Sequence, residues 1–283
     1  MSLLSPESLG VFVSPTELVA VLWRGFRPQI AAKRLWPVAS LPGSVWAGAA
    51  HAFGDLLAEF SSCKRVRVVL SSHFTPCQLL PWRDDVNDVQ EERALARLAF
   101  SQTYGDLAAG WQVELSDAAP GIPRVAAAVD ADLLAALAHG AAANKTRIDS
   151  IQPYFAAAVN HWRKRFHRGF SSWLVLHEEG RLCLGLIEHG QWRWLRHVRV
   201  GADWQVRLPD LLDNEVMLAG VDTALVKALV YSPNFSSRQP DFSRSADAVW
   251  DFASLSLDAR LNFSPVTDSH FGLALWTSPN AAH

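Results

Sequence analysis

Two short segments bring together residue types that could do chemistry. Residues 177–181 read His-Glu-Glu-Gly-Arg, the start of a zinc-protease motif, but arginine occupies the position of the second zinc-binding histidine. Residues 61–64 place a serine three positions before a lysine, as in serine acyl-enzymes, but the companion motifs of that class do not occur. The first segment fits a turn of charged residues and the second fits the end of a helix, so we expect no catalysis at either.

Phosphate-binding motifs are missing as well. None of the five lysines follows a glycine, which excludes the P-loop, and the dinucleotide fingerprint G-x-G-x-x-G does not occur. Cys63, Cys77 and Cys183 are odd in number and contain no C-x-x-C pair. They fit small buried hydrophobic side chains in a reducing compartment better than disulfides or a zinc site. The sequence therefore predicts a cytoplasmic protein without a metal or cofactor.

The composition is that of a folded protein with little net charge. The chain has 283 residues, of which 49% are hydrophobic, and a formal net charge of −2. These values argue against disorder and leave room for two domains. No apolar run approaches the roughly 20 residues that a transmembrane helix needs, and no basic region precedes an apolar stretch at the N-terminus. We expect neither a membrane span nor secretion.

Two basic segments could attract anions. Residues 161–168 gather basic side chains at the end of a predicted helix, where cations complement the helix dipole and weakly attract phosphates or anionic lipid. Residues 192–199 alternate aromatic and basic side chains, which could stack nucleic-acid bases but also occurs on half-buried edge strands. Because the net charge is close to zero, we expect no nucleic-acid binding and only peripheral contact with a membrane.

The hydrophobic pattern predicts alternating strands and helices that position these segments. Residues 9–38 read as three consecutive strands, and residues 173–200 repeat that meander with Gly180 and Gly190 in its turns. Two such openings, each followed by helices, predict two α/β halves that face each other across a cleft. Further strands are predicted at 66–71, 77–82, 111–115, 124–129, 147–151 and 227–231, and helices at 45–60, 86–104 (capped by Asp84 and Asp85), 131–142 (capped by Asp130), 153–167 and 204–218.

Two parts of the sequence resemble a known group of proteins. Residues 69–74 with the Leu-Pro-Trp at 80–82, and the meander that ends in residues 188–201, are similar to the actin-like cytoplasmic scaffolds of type IV pilus and type II secretion machines, the PilM, MshI and cytoplasmic GspL families. With matching element order, the resemblance covers roughly residues 5–235. It implies an α/β, actin-like (RNase H-like) fold of two lobes, each a mixed sheet that opens with a three-strand meander and is flanked by helices.

The resemblance also implies a division of the chain. Residues 1–168 would form the first lobe, with a small insertion subdomain at about 78–129. Residues 169–283 would form the second lobe and a C-terminal tail. GspL-type proteins continue into a transmembrane helix, whereas no such segment occurs here. We therefore expect the free-standing PilM type, which a partner recruits to the inner membrane.

Active actin-like proteins carry Asp-x-Gly in each opening hairpin and a glycine pair near the adenosine. The aligned positions here hold other residue types, and an apolar side chain can neither bind Mg²⁺ nor admit phosphate oxygens. A carboxylate where a phosphate would sit would repel the ligand. We therefore expect no nucleotide chemistry in the cleft. The substituted positions are Phe12 and Ser14 in the first hairpin, Leu176 and Glu178 in the second, and Pro233 and Asn234 near the adenosine.

The insertion subdomain is the part of such scaffolds that carries interactions. In this chain it contains four large aromatic side chains and an arginine, the types most enriched at binding hot spots. The alternative is that these aromatics only close the subdomain's own small core. We predict that the N-terminal cytoplasmic peptide of an inner-membrane pilus or secretion protein binds through Trp82, Arg83, Phe100, Tyr104 and Trp111.

Together these features favour a non-catalytic scaffold of a pilus or secretion assembly, with the assembly ATPase as a further implied partner. The enzyme-class alternative is a divergent actin-like ATPase or sugar kinase. A third alternative is a nucleic-acid or regulatory binding module. Nucleotide binding with turnover would support the second hypothesis, and salt-sensitive retention on single-stranded DNA would support the third.

Overall fold

A computed structural model describes residues 7–86, 88–166, 169–221, 227–233, 250–259 and 262–277. Within these ranges, thirteen strands form two five-stranded sheets and one three-stranded sheet. The elements are β1 (Glu7–Val13), β2 (Glu17–Arg24), β3 (Gln29–Pro37), α1 (Ala47–Glu59), β4 (Arg65–Leu70), β5 (Cys77–Leu80), α2 (Val89–Tyr104), β6 (Trp111–Leu115), β7 (Arg124–Asp130), α3 (Ala131–Ala143), β8 (Arg147–Pro153), α4 (Tyr154–Trp162), β9 (Ser172–Glu178), β10 (Arg181–Glu188), β11 (Gln191–Arg199), α5 (Trp204–Ala219), β12 (Lys227–Tyr231), β13 (Asp251–Ser254) and α6 (Gly272–Leu275).

The two five-stranded sheets have the same strand order. The first sheet runs β3-β2-β1-β4-β8 and the second runs β11-β10-β9-β12-β13. In each, an antiparallel meander is followed by two strands that join in parallel. The meanders and the two-lobed fold predicted from the sequence are confirmed. Gly180 (φ 73°) and Gly190 (φ 77°) adopt the left-handed backbone that their turns require, as expected.

The central strands are apolar on both faces because helices cover one face of each sheet and the other sheet's lobe covers the opposite face. In the first lobe, Val11 packs under α1 and α3, whereas the neighbouring Phe12 points into the space between the lobes. In the second lobe, Val175 packs under α5, and Leu174 and Leu176 point between the lobes. This two-sided burial explains the near-continuous hydrophobic runs in the sequence.

The largest differences from the predicted helix boundaries lie at the start of α2 and the end of α4. The helix α2 begins at Val89, where Asp88 accepts hydrogen bonds from the backbone N–H groups of Gln90 and Glu91. The predicted cap at Asp84 and Asp85 is wrong, because these carboxylates bind the neighbouring side chains of the preceding loop. The predicted helix 153–167 ends at Trp162 and tightens into a 3₁₀ turn at Arg163–Arg165, which is common at helix ends. Residues 167 and 168 lie outside the described ranges.

The lobes share one hydrophobic core, and aromatic side chains lie at its centre. The ring of Trp276, just after α6, lies 5.2 Å from that of Tyr154, 5.5 Å from that of Trp162 and 5.2 Å from that of Tyr231. Tyr154 and Trp162 belong to α4, and Tyr231 ends β12 of the second sheet. The α4 and α6 helices therefore join the two sheets through one buried cluster.

The described C-terminal residues also contact the first sheet. Asn262 donates a side-chain hydrogen bond to the carbonyl of Ile30, and Asp268 pairs with Lys33 at 2.6 Å. The indole of Trp23 donates to Thr277 Oγ1 at 3.4 Å. Although the sequence groups this tail with the second lobe, its described part lies against the first sheet as well.

The close approach of α6 to β1 depends on Gly10. A Cβ atom added at Gly10 would overlap Thr277 Oγ1 and lie 3.1 Å from the carbonyl oxygen of Ala274. Any larger residue must push α6 away from β1 and so open the shared core. We therefore attribute the glycine at this strand position to helix packing rather than to a turn.

We predict that Gly10→Ala lowers the free energy of unfolding by about 1–3 kcal/mol, the usual cost of overpacking a tight contact. Gly54→Ala is the matched control, because Gly54 lies inside α1 and a Cβ there meets nothing within 4 Å. This control should be neutral or stabilise by up to about 1 kcal/mol. Urea denaturation of both variants measures the difference, and equal stability of the two would contradict the proposed packing role of Gly10.

Candidate functional site

The expected nucleotide positions lie at the ends of strands that face each other between the lobes. Phe12 is 1% exposed and packs edge-on against Tyr154, with ring centroids 6.0 Å apart. Leu176 is equally buried in the shared core. Both positions therefore hold apolar core side chains, where an active site would hold carboxylates.

The remaining positions are engaged locally or lie outside the described residues. Ser14 closes the β1–β2 turn, because its hydroxyl donates to the carbonyl of Glu17 at 2.8 Å and accepts from the Glu17 N–H at 3.1 Å. Pro233 is buried. Asn234 is outside the described ranges. The hydroxyl of Ser14 thus serves the turn itself.

Glu178 differs most from its sequence interpretation. The prediction of a turn of charged residues is wrong here, because Glu178 is the last residue of β9 and only 5% exposed. Its carboxylate accepts hydrogen bonds from the hydroxyl of Ser71 and from the backbone N–H of Ser72, the latter at 2.8 Å. Burial raises the pKa of Glu178, and these hydrogen bonds oppose that shift.

Two further contacts reinforce this junction between the lobes. Arg181 donates to the carbonyl of Ser72 at 2.7 Å, and the His73 ring lies 2.9 Å from the carbonyl oxygen of Glu179. Ser71 and Ser72 follow β4 of the first sheet, whereas Glu178 and Arg181 border the β9–β10 turn of the second. We call this group, residues 71–73 with residues 178–181, the interlobe clasp. It fills the mouth of the cleft with hydrogen bonds between the two lobes of the same chain.

His177 lies directly behind the clasp and is held neutral. Its Nδ1 is 2.8 Å from the hydroxyl of Ser232, and its ring stacks on Trp204 at 4.4 Å between centroids. The Tyr154 hydroxyl donates to the His177 carbonyl at 3.0 Å. Burial lowers the pKa of His177 from 6.5 to about 4. This histidine therefore acts as a neutral core residue at pH 7.

The chemistry available at the cleft follows from these contacts. The side chains at the expected phosphate and Mg²⁺ positions are a phenyl ring, a turn hydroxyl, an isobutyl group and a carboxylate that already accepts two hydrogen bonds. None of these four offers a free carboxylate oxygen to a cation. The arrangement is suited to holding the lobes together.

A second feature, an apolar groove, lies on the insertion subdomain. The three-stranded sheet β5-β7-β6 packs against α2, and its small core contains Phe100, Val113 and Ala128. Beside this core lies a cavity of about 330 Å³. Its apolar lining comes from Leu80, Pro81, Trp82, Val86, Leu95, Leu98, Ala99, Leu115 and Ile122.

The groove exists because α2 has two apolar faces. Ala96 and Phe100 are buried against the subdomain's sheet. Leu95, Leu98 and Ala99 lie at helical spacing on the adjacent face, and Leu98 is 54% exposed. An apolar stripe that the subdomain's own core does not cover is the usual mark of an interaction surface.

A partly buried ion pair borders the groove. Arg124 Nε lies 3.2 Å from Glu92 Oε1, and both residues line the cavity. The other carboxylate oxygen, Glu92 Oε2, is buried without a hydrogen-bond partner among the described residues. The groove therefore combines apolar walls with one ion pair at its border.

The structure separates the five residues predicted to bind a partner. Trp82 and Arg83 line the groove. Phe100, Tyr104 and Trp111 instead form one aromatic cluster, in which the Tyr104 and Trp111 rings are 5.0 Å apart. Phe100 is 1% exposed, so its first role is in the subdomain's core.

Sequence reasoning missed the roles of several residues. The sequence carries no sign that Arg181 meets Ser71 and Ser72 across the lobes, because Arg181 lies more than 100 positions after them in the chain. The groove could have been predicted, because the apolar spacing of residues 95, 98 and 99 is visible in the sequence of α2. What that spacing does not reveal is which of the helix's two apolar faces the sheet covers.

Neither a comparison with protein-family models nor one with curated proteins finds a match for this chain. Solved structures do match over nearly the full length. A Bacteroides thetaiotaomicron protein with an actin-like ATPase fold and unknown function gives a TM-score of 0.63 at 10% identity, covering 96% of this chain and 95% of that one.

Two further matches are proteins of a pilus system and of a secretion system. The PilM–PilN type IV pilus biogenesis complex gives a TM-score of 0.61 at 12% identity, covering 98% of both chains. The cytoplasmic domain of EpsL, an inner-membrane component of the type II secretion system of Vibrio cholerae, gives 0.58 at 13% identity, also covering 98% of both. This chain therefore has the actin-like fold, and its structural neighbours include the pilus and secretion proteins that its sequence resembles.

We predict a pH signature for His177. Because its pKa is about 4 when folded and 6.5 in the reference state, the unfolded chain binds the extra proton between these values, and stability falls as pH falls through that window. In His177→Asn this contribution is absent, so its stability should fall less steeply between pH 6.5 and pH 4.5, by up to about 1.4 kcal/mol per pH unit. Denaturant titrations across this range measure both slopes; parallel pH profiles would contradict a buried neutral His177.

Proposed function

We propose that this protein is a non-catalytic cytoplasmic scaffold of a type IV pilus or type II secretion-like assembly. Its task is to bind a short cytoplasmic segment of an inner-membrane partner. The observation that carries this proposal is the apolar groove on the insertion subdomain, a preformed site for a peptide. The structural similarity to the PilM–PilN complex and to the cytoplasmic domain of EpsL supports the same class of role.

The lining of the groove specifies the chemistry of the peptide. Leu95, Leu98 and Ala99 favour apolar side chains at helical or alternating spacing. The Glu92–Arg124 ion pair at the border of the groove favours a polar group of the peptide next to them. Arg83 stands at the rim and pairs with Asp85 at 2.6 Å. Arg83 therefore contributes less to the free energy of peptide binding than the apolar wall does.

The absence of catalysis is proposed from the cleft. It rests on Phe12 and Leu176, which are buried apolar side chains at the positions where the resemblance implies Mg²⁺-binding carboxylates. It also rests on Glu178, whose carboxylate is bound to Ser71 and Ser72 where the resemblance implies a phosphate. Opening this region for a nucleotide would leave a buried carboxylate without its donors, which costs several kcal/mol. A divergent ATPase or sugar kinase would need both the cleft and a metal site.

The proposed location of this protein depends on its partner. No helix among the described residues is long and apolar enough to cross a membrane. We place the protein in the cytoplasm, at the inner membrane, through the bound segment of its partner. The insertion subdomain, about residues 78–129, is the proposed docking part, and the two lobes form its support.

Calorimetry with Mg-ATP tests the catalytic alternative. We expect no saturable heat of binding in the micromolar range and no phosphate release above a protein-free control. The double variant Ser71→Ala/Glu178→Ala, which removes the clasp's two hydrogen bonds to the Glu178 carboxylate, serves as the comparison. Micromolar binding with turnover by the parent protein would overturn the scaffold proposal.

Peptide binding tests the groove directly. The probe is a synthetic peptide of the N-terminal cytoplasmic segment of a candidate inner-membrane pilus or secretion protein. Leu98→Asp places a charge on the apolar wall and should weaken binding by at least about tenfold. Leu98 is already half exposed, so folding should be preserved.

Leu107→Asp is the matched control, because Leu107 lies in the same subdomain, is 75% exposed and does not line the groove. Fluorescence anisotropy measures the three affinities, and circular dichroism checks folding. If the parent and both folded variants bind the peptide equally well, or if the parent does not bind it, the groove is not the docking site.

A further inference from the structure

A second cavity lies at the opposite end of β4 from the interlobe clasp. It has a volume of about 430 Å³, within the usual range for small-molecule sites. The strand β4 runs from Arg65 to Leu70, and the clasp begins at Ser71. At about 3.3 Å per residue, Arg65 and Ser71 are roughly 20 Å apart. The end of this cavity at Arg65 therefore lies away from the clasp, while the rest of its lining extends along β4 to Val69 and reaches Trp276 of the shared core.

Basic side chains from three elements line this cavity. Arg65 and Arg67 project from one face of β4, Arg147 comes from the paired strand β8, and Arg163 follows α4. The carboxylate that faces these four guanidinium groups belongs to Asp149. We call this cavity the arginine pocket.

One carboxylate forms ion pairs with three of the arginines. Asp149 lies 2.8 Å from Arg65 Nη2, 3.1 Å from Arg147 Nε and 4.0 Å from Arg67 Nε. Its side chain is only 7% exposed, whereas that of Arg67 is 23% exposed. A single negative charge cannot balance three positive ones, so the cluster keeps an excess of positive charge. Arg67 is its most buried guanidinium, whereas the side chains of Arg65 and Arg147 are 53% and 77% exposed.

Polar and aromatic groups complete the walls. Gln152 and Asn160 contribute amides, and His161 and Trp276 contribute rings. The indole Nε1 of Trp276 is buried and has no hydrogen-bond partner among the described residues. The amides of Gln152 and Asn160 can donate hydrogen bonds to an anion held by the cluster.

From this arrangement we infer that the arginine pocket binds a phosphate group, with Arg67 as the central ligand and Arg65 and Arg147 beside it. Each guanidinium group can donate two parallel hydrogen bonds to phosphate oxygens. A tetrahedral phosphate can therefore be bound by several arginines at once, which suits this cluster better than a single carboxylate does. The phosphate can belong to a small soluble molecule or to a lipid headgroup. Both sources present the same chemistry to the pocket.

The experiment has two arms that distinguish these sources. In the first, calorimetry at low salt with EDTA measures binding of pyrophosphate and of adenosine monophosphate. In the second, the protein is sedimented with vesicles of phosphatidylglycerol or of phosphatidylcholine alone. EDTA removes Mg²⁺, so the first arm does not depend on the actin-like cleft.

Two variants and one control make the test specific. Arg67→Ala should weaken binding by about tenfold or more, and the more exposed Arg65→Ala should weaken it in the same direction without threatening the fold. Arg207→Ala removes the same charge from the exposed surface of α5 and should bind like the parent. Leu98→Asp in the groove should also bind like the parent, which keeps this result independent of the proposed function.

Loss of soluble-phosphate binding in the arginine-pocket variants alone supports a small-molecule ligand. The same loss confined to phosphatidylglycerol vesicles supports a lipid headgroup. The inference is overturned if the parent binds none of the probes, or if Arg207→Ala weakens binding as much as the pocket variants do. Thermal denaturation shows whether Arg67→Ala is folded, and Arg65→Ala decides the outcome if it is not.

Discussion

The shared hydrophobic core between the two sheets is the constraint on which the rest of this structure depends. The first sheet contributes residues such as Phe12 and Trp23, the second contributes Leu174 and Leu176, and Trp276 of the C-terminal segment lies among the aromatic rings between them. Burial of this size fixes the relative position of the lobes. Every polar contact across the cleft is then made at a distance that the core has already set.

The polar contacts of the clasp are possible only because of that geometry. A buried carboxylate is costly unless its oxygens are satisfied, and Glu178 obtains its donors from the other lobe. The neighbouring His177 is satisfied in the same way by Ser232 and by the ring of Trp204. Side chains from both lobes therefore fill this part of the interlobe region and satisfy one another there.

The sequence was sufficient for the architecture and insufficient for the sites. The meanders and the helices that follow them are local patterns, and local periodicity predicts them well, as at β6 and β12. The clasp is not local, because Ser72 and Glu178 meet only through the packing of two lobes. Phe100 shows the other difficulty, since an aromatic residue on a helix looks the same whether it faces a groove or a core. Arg65, Arg67 and Arg147 are scattered along the chain and come together only when β4 pairs with β8.

The interlobe clasp has a mechanical consequence. Together with the shared core, it links the first sheet to the second, so a relative rotation of the two lobes would have to break the hydrogen bonds of Glu178 and Arg181 as well as the aromatic contacts. The insertion subdomain has its own three-stranded sheet and contacts the second lobe where the Cys77 N–H donates to His197 Nε2. A rotation of the second lobe would therefore strain this contact as well as the clasp.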